Sequence, residues 1–240
     1  MRLDHHLVEQ NSIANHSQAQ ALILAGLVRV NGQVRTKAGF QVKPDMRVEI
    51  IQPLHPYVSR GGMKLAGALT SFGINPGGFF CLDVGASTGG FTDCLLQHGA
   101  AHVTSMDVGY GQLAYKLRQC PKVTVLERIN ARHLPDETAQ GPFDLVVVDV
   151  SFISLTLIIP RLLSRLQDKG LLLCLVKPQF EAGKEKMEKG GVIRDEATRQ
   201  DTLKKIRVFG QNMGLSYLDS CDSPIEGAKG NREFFLLLKK

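Results

Sequence analysis

The sequence has no apolar run near the roughly 20 residues that a membrane helix requires; its longest runs, at 21–28, 171–176 and 234–238, stop far short. No bilayer-spanning segment is expected. It also has no C-x-x-C pair. Its five cysteines (Cys81, Cys94, Cys120, Cys174 and Cys221) form an odd set, which suits reduced thiols and argues against a disulfide framework or structural zinc. The start, Met1-Arg2-Leu3-Asp4-His5-His6, has no apolar core followed by a small-residue cleavage site, so a cytoplasmic location is expected. Composition is not extreme either: 43% hydrophobic and 22% charged residues exclude disorder, collagen-like repeats and coiled coil. What is present is a chain of 240 residues, long enough for a large domain, or a medium one with a small appendage, without disulfide staples. Its net charge of +6 permits an anionic partner but suits a plain enzyme equally well.

The first fifty-odd residues read as a compact α+β module. Leu3, Leu7 and Val8 share one helical face, and a second helix begins at a cap candidate, Asn15 or Ser17, continues through Ala21, Leu22 and Leu24, and stops at Gly26. Asn31-Gly32, between Val28, Val30 and Val34, is the strongest two-residue hairpin signal. Two prolines in Gln52-Pro53-Leu54-His55-Pro56 disfavour helix. The organisation expected is therefore a module over 1–52, a linker over 53–60 and a larger domain over 61–240. In that domain, strand-like runs at 79–84, 102–108, 123–126, 145–150 and 171–176 are mostly separated by helix-like stretches at 90–98, 113–119 and 154–167, with a further helix at 196–213. Such alternation implies an α/β fold with a parallel sheet covered on both faces. The last two strands, near 215–218 and 233–238, have no helix between them and should form an antiparallel hairpin at the sheet edge.

Ligands of open parallel sheets bind beyond the carboxyl ends of the strands, where strand order reverses. The first of these strands ends in Asp83-Val84-Gly85-Ala86-Ser87-Thr88-Gly89-Gly90-Phe91. Its glycines allow close approach to a ligand, but their spacing is not the G-x-G-x-x-G of a dinucleotide site. The second strand ends at Asp107, 24 positions after Asp83, where a carboxylate could hydrogen-bond the ribose of a nucleoside-like cofactor. A glycine-rich first loop with an acid after the second strand is a common way to hold S-adenosylmethionine; the alternative is tight-turn glycines and a solvated strand end. The fourth strand ends at Asp149 and the fifth at Lys177. A lysine at the rim of a dry pocket is a candidate proton acceptor, although strand-end lysines also commonly extend to solvent. An antiparallel last strand would begin at the same sheet edge, bringing Glu233 near both, and Lys64 lies one helical turn beyond Gly61-Gly62. Two lysines and two carboxylates converging on one mouth point to chemistry, with a structural ion-pair cluster as the alternative.

Five segments carry a resemblance: Tyr57-Val58-Ser59-Arg60-Gly61-Gly62-Met63-Lys64, Asp83 to Phe91 as above, Asp149-Val150-Ser151-Phe152-Ile153-Ser154-Leu155, Val176-Lys177-Pro178-Gln179-Phe180-Glu181 and Gly230-Asn231-Arg232-Glu233-Phe234. In this order they resemble the TlyA family of ribosomal RNA methyltransferases, with an FtsJ-type catalytic domain, over essentially the whole chain. The resemblance implies a Rossmann-like, seven-stranded class I methyltransferase sheet preceded by an RNA-binding module of the ribosomal protein S-four type. That module is matched through Arg2-Leu3-Asp4, residues 21–26 and Val28-Arg29-Val30-Asn31-Gly32, but the sequence departs from it at Asn15-His16-Ser17-Gln18, where a basic residue is usual.

The resemblance further implies a Lys64, Asp149, Lys177, Glu233 tetrad that methylates a ribose 2′-hydroxyl, on a cytidine, with Lys177 accepting the proton and no metal. Asp83, Gly85, Ala86, Ser87, Gly89 and Asp107 would hold S-adenosylmethionine, with Asn130 near its adenine. The partner would be ribosomal RNA or a ribosomal subunit. Residues 1–56 carry six Lys or Arg against four Asp or Glu, a net of +2, so docking would be shared with Arg35, Lys37, Arg60 and the basic stretch after Lys184. Other acceptors fit less well: no Pro-Pro-aromatic follows Asp149, as base-amine methylation requires, and neither Cys174 nor Cys120 is placed as a nucleophile. Because some members of the family are named hemolysins, a pore-forming protein is the alternative from another class, and an RNA-binding module without catalysis is a third.

Overall fold

The computed structural model describes residues 1–10, 16–51, 56–188 and 190–240. The cap candidate Asn15, residue 52 at the end of the expected module and residues 53–55 of the expected linker lie outside the described residues. The chain divides into two compact units, Met1–Pro56 and Tyr57–Lys240.

The first unit packs α1 (Leu3–Glu9) and α2 (His16–Leu24) against β1 (Val28–Val30), β2 (Gln33–Val34) and β3 (Val48–Ile50), in the sheet order β2-β1-β3. Asn31 and Gly32 both take positive φ, 51° and 76°, which matches the hairpin twist that this dipeptide favours. Leu3, Leu7, Ile23, Val28 and Val30 fill the small core. Leu24, expected on the apolar face of α2, is instead exposed, and Ile23 takes the buried position. Asp4 is buried and accepts bonds from Arg2 and Gln20, and the Arg2 guanidinium holds its carboxyl well below the usual carboxylate range.

In the second unit, residues 57–60 lead into α3 (Gly61–Ser71), and Tyr57 packs into the core formed with Leu65 and Phe91. A seven-stranded sheet follows, built from β4 (Phe80–Val84), β5 (His102–Met106), β6 (Val123–Leu126), β7 (Phe143–Val148), β8 (Leu166–Val176), β9 (Ser216–Asp222) and β10 (Phe234–Lys239), in the order β6-β5-β4-β7-β8-β10-β9. The strands β4 to β8 run parallel. β10 inserts antiparallel between β8 and β9, so the hairpin expected at the edge is present. Order reverses between β4 and β7, so the crevice beyond Val84 and Val148 is the expected ligand position.

The connecting helices α4 (Gly90–Gln97) and α8 (Glu196–Asn212) occupy their expected places, and α5 (Tyr115–Arg118) is a single turn. The helix expected over 154–167 is broken into short pieces, of which only Ile159–Leu162 (α6) is α-helical, and the chain is already in β8 at Leu166. Pro160 accounts for the break: it has no N–H to continue the ladder, and its ring crowds the preceding turn.

Both faces of the sheet are dry. Leu82, Val146, Val148 and Leu172 face one core, while Cys81, Leu145, Val147 and Phe235 face the other. Phe235 is fully buried, and its ring lies 6.1 Å from that of Phe91. Phe235→Ala should cost about 3–5 kcal/mol through lost burial and the cavity left behind. Chemical denaturation followed by a probe in the second unit checks this; a loss below about 1 kcal/mol would show that β10 contributes little to the core.

Candidate active site

The loop joining β4 to α4 leaves the sheet at Gly85 and enters the helix at Gly89, with φ of 88° and 94°. Each glycine has a packing reason. A Cβ at Gly85 would lie 2.4 Å from the Asp149 carbonyl oxygen, and one at Gly89 would lie 2.3 Å from Leu117. Gly85 therefore lets the ends of β4 and β7 come together, and Gly89 admits α5. The close approach inferred for a ligand is here made first by the protein's own backbone.

Asp107 follows β5 and accepts the backbone N–H of Ser87 at 2.8 Å and that of Gly109 at 2.6 Å. Its carboxylate thus ties the glycine loop to the next loop, and each oxygen retains a lone pair for a further donor. Asn130 caps a turn by accepting the N–H of Arg132 at 3.0 Å. An open cleft of about 550 Å³ is lined by Gly85, Ser87, Met106, Asp107, Ile129 and Asn130, among others. That volume suits a nucleoside-sized ligand, with apolar walls and few polar groups. Asp83 lies beneath the loop and is fully buried. One of its oxygens accepts from Thr92 Oγ1 at 2.7 Å, and the other has no protein partner. Burial pushes its carboxyl up to about 7, against the opposing hydrogen bond from Thr92.

The four charged residues expected at the mouth are assembled there as two ion pairs. Lys64 Nζ lies 2.5 Å from Glu233 Oε2, and Lys177 Nζ lies 2.5 Å from Asp149 Oδ1. Lys64, Lys177 and Glu233 are each at most 9% exposed, so Lys177 does not run out to solvent. The register that sets Phe234 opposite Val176 puts Glu233 beside Lys177, where the adjacent strand β8 ends. Space for the Glu233 carboxylate is provided at Gly227, where a Cβ would lie 2.1 Å from Oε1.

Two residues not singled out in the sequence complete the cluster. Gln179 Nε2 donates to Glu233 Oε1 at 3.4 Å, and Ser151 Oγ accepts from Lys177 Nζ at 3.1 Å. Both sit inside the quoted motifs, two residues beyond Lys177 and Asp149, which is the signal that could have found them. A second cavity of about 570 Å³ opens on this side, lined by Phe152, Gln179, Phe180, Met187 and Asn231. Phe152 is 90% exposed, and its ring lies 5.0 Å from that of Phe180.

The remaining candidates are not part of this cluster. Arg35 and Lys37 belong to the first unit, where Arg35 bonds Gln33 and stacks 4.7 Å from the Phe40 ring. Arg60 donates to the Glu226 carbonyl at 3.1 Å. Asp144, the carboxylate at the end of β7 opposite to Asp149, accepts from Phe80 N–H at 2.7 Å. Cys174 is fully buried in β8, and burial pushes its thiol far up, so it is no nucleophile.

Comparison with known proteins adds to this geometry. Residues 57–240 match the FtsJ-like methyltransferase family and residues 1–48 the S4 domain. The Mycobacterium tuberculosis protein named 16S/23S rRNA (cytidine-2′-O)-methyltransferase TlyA is 44% identical over 239 residues, covering 99% of this chain and 89% of that protein. Hemolysin A of Brachyspira hyodysenteriae is 43% identical, covering 98% of each. A solved structure from Streptococcus thermophilus, described as a hemolysin, superposes with a TM-score of 0.76 at 39% identity, over 100% of this chain and 88% of that one.

The buried Asp83 gives a test with a definite sign. Its folded pKa lies above the ordinary carboxyl value, so between about 4 and about 7 the folded state holds a proton that the unfolded state has lost. This contribution to stability is full at low pH and is lost as pH rises through that window. Asp83→Asn should flatten that part of the stability profile and leave the protein at least as stable at pH 8. Thermal denaturation from pH 5 to 8 measures it; an unchanged profile would show that Asp83 is not the titrating group.

Proposed function

The chain belongs to the TlyA family of FtsJ-like methyltransferases, and from that premise we propose that it methylates the ribose 2′-hydroxyl of a cytidine in ribosomal RNA, with Lys177 as proton acceptor. The observation that carries this reading is the pair of lysine–carboxylate contacts gathered where β7 and β8 end and β10 begins. A module that only bound RNA would gain nothing from burying Lys64, Lys177 and Glu233, charges that need partners to be tolerated.

The residues beyond β4 and β5 fit S-adenosylmethionine. Met106 and Ile129 offer apolar walls, Asp107 and Asn130 offer polar contacts for a ribose and a base, and the unpartnered Asp83 oxygen marks a buried acceptor under the glycine loop. Gly85, Ala86, Ser87 and Gly89 shape that loop. When bound, the cofactor supplies an electrophilic methyl group on a positively charged sulfur.

The rest falls to this chain. A ribose hydroxyl is a weak nucleophile, and transfer requires its proton to leave as the oxygen attacks. Lys177 in its neutral form takes that proton at Nζ, and Asp149, 2.5 Å away, offsets the ammonium charge that results. The Lys64–Glu233 pair sits on the side of β10 and orients the ribose together with Gln179. The cavity walled by Phe152 and Phe180 lies next to this group and is the space for the acceptor nucleoside, whose base has an aromatic face to stack on. No helix among the described residues is long and apolar enough to cross a membrane, and no observation favours a pore.

Lys177→Ala should lower methyl transfer to ribosomal subunits at least about 100-fold, within the range for loss of a general base, and leave S-adenosylmethionine affinity within about threefold. Radiolabelled methyl transfer and calorimetry measure the two; transfer near the wild-type rate would remove Lys177 from its role. In the first unit, Arg35→Ala with Lys37→Ala should weaken RNA binding evenly across sequences and flatten the salt dependence by about one unit of slope per lost phosphate contact. Filter binding over a salt series reads this, and an unchanged slope would place RNA docking elsewhere.

A further inference from the structure

We propose that Ser151 is a positioning residue for the reaction, acting on Lys177 by fixing the direction of its Nζ lone pair; this rests on the proposed methyl transfer. Nζ donates a hydrogen bond to Ser151 Oγ at 3.1 Å. Its contact with Asp149 Oδ1 is an ion pair at 2.5 Å. The two contacts differ in chemistry: Asp149 supplies charge beside the amine, and Ser151 supplies a neutral acceptor that fixes one N–H.

Direction matters for a base. A neutral amine has two N–H bonds and one lone pair in tetrahedral array, and only the lone pair can receive a proton. A hydrogen bond to Ser151 holds one N–H, the Asp149 carboxylate attracts the other, and the lone pair is left for the acceptor hydroxyl. In the transfer step the hydroxyl proton passes to this lone pair. The ribose oxygen forms its bond to the methyl carbon, and the carbon–sulfur pair remains on sulfur, so one positive charge moves from sulfur to Nζ. Without Ser151 the amine can rotate about its terminal bond, and part of its population has the lone pair turned away.

The fold invests in the position of this hydroxyl. Phe152, immediately after Ser151, adopts φ +65°, a left-handed conformation that is unfavourable for an aromatic residue and is held only by its surroundings. The hold is visible two residues on. Glu181 accepts from Ser154 Oγ at 2.6 Å and from Leu155 N–H at 2.7 Å. Glu181 closes α7 (Pro178–Glu181), which begins directly after Lys177. The segment carrying Ser151 is thus clamped to the segment carrying Lys177, and the serine and the amine are positioned as a unit.

The test compares the full-length wild-type protein, Ser151→Ala and Ser151→Thr on ribosomal subunits prepared from cells lacking this activity. Methyl transfer is measured as a single-turnover rate at saturation and as a steady-state titration of the subunit for KM, with S-adenosylmethionine affinity by calorimetry and thermal midpoints in parallel. The expected result for Ser151→Ala is a rate about tenfold lower, the scale of one lost hydrogen bond between neutral groups. KM for the subunit, cofactor affinity and thermal midpoint should be unchanged, and Ser151→Thr, which keeps the hydroxyl, should return to within about threefold of wild type. A full rate in Ser151→Ala overturns the proposal, as does a loss that follows cofactor affinity or KM, or a threonine variant no better than alanine. A wild-type protein that leaves no methyl group on ribose overturns the proposed function itself, and the Ser151 role with it.

Discussion

Lys177 and Asp149 can meet only because two parallel strands end side by side, and the site depends on that adjacency. β7 and β8 carry hydrophobic runs as far as Val148 and Val176, and each then ends in a charge. Neither charge would be tolerated there alone, since a buried unpaired lysine or carboxylate costs several kcal/mol. Together they form a contact that leaves the amine shielded but reachable. The antiparallel β10 repeats the arrangement from the other direction: its start lies against the end of β8, and Glu233 arrives with Lys64 as its counter-charge.

The cofactor side obeys a different constraint, closeness of backbones. Gly85 is required because the end of β7 occupies the space where a side chain would be, and Gly89 because α5 does. The same glycine loop is then tied down through Asp107, whose carboxylate bridges Ser87 and Gly109. The cleft is therefore shaped before any ligand contributes, which lowers the ordering cost of binding. A buried Asp83 under that loop completes it at the expense of stability near neutral pH, a trade of the kind found where function, not packing, dictates a residue.

Much of this was legible in the sequence, for identifiable reasons. Strand runs such as 123–126 and the hairpin at Asn31-Gly32 are local signals, and each appears where the pattern puts it. The convergence of Asp149, Lys177 and Glu233 followed from topology, because an antiparallel final strand must start at the end where its parallel neighbours stop, and Lys64 was placed by its position one turn beyond Gly61-Gly62. Three features were less accessible. The helix over 154–167 is broken at Pro160, where a proline that a helix's first turn tolerates also prevents its extension backwards. In α2 the exposed Leu24 and buried Ile23 show that apolar spacing alone does not fix which face a short helix buries. The partners Ser151 and Gln179 are ordinary polar residues in sequence, and only their distances to Lys177 and Glu233 distinguish them.

The most direct measurement is the chemical identity of the methylated product. Ribosomal subunits from cells lacking the protein would be incubated with the purified chain and S-adenosylmethionine, and their RNA digested to nucleosides for mass spectrometry. This account expects 2′-O-methylcytidine to appear with the wild-type protein. A methyl group found on a base, or none on ribose with active cofactor binding, would contradict a site built around a lysine that deprotonates a sugar hydroxyl.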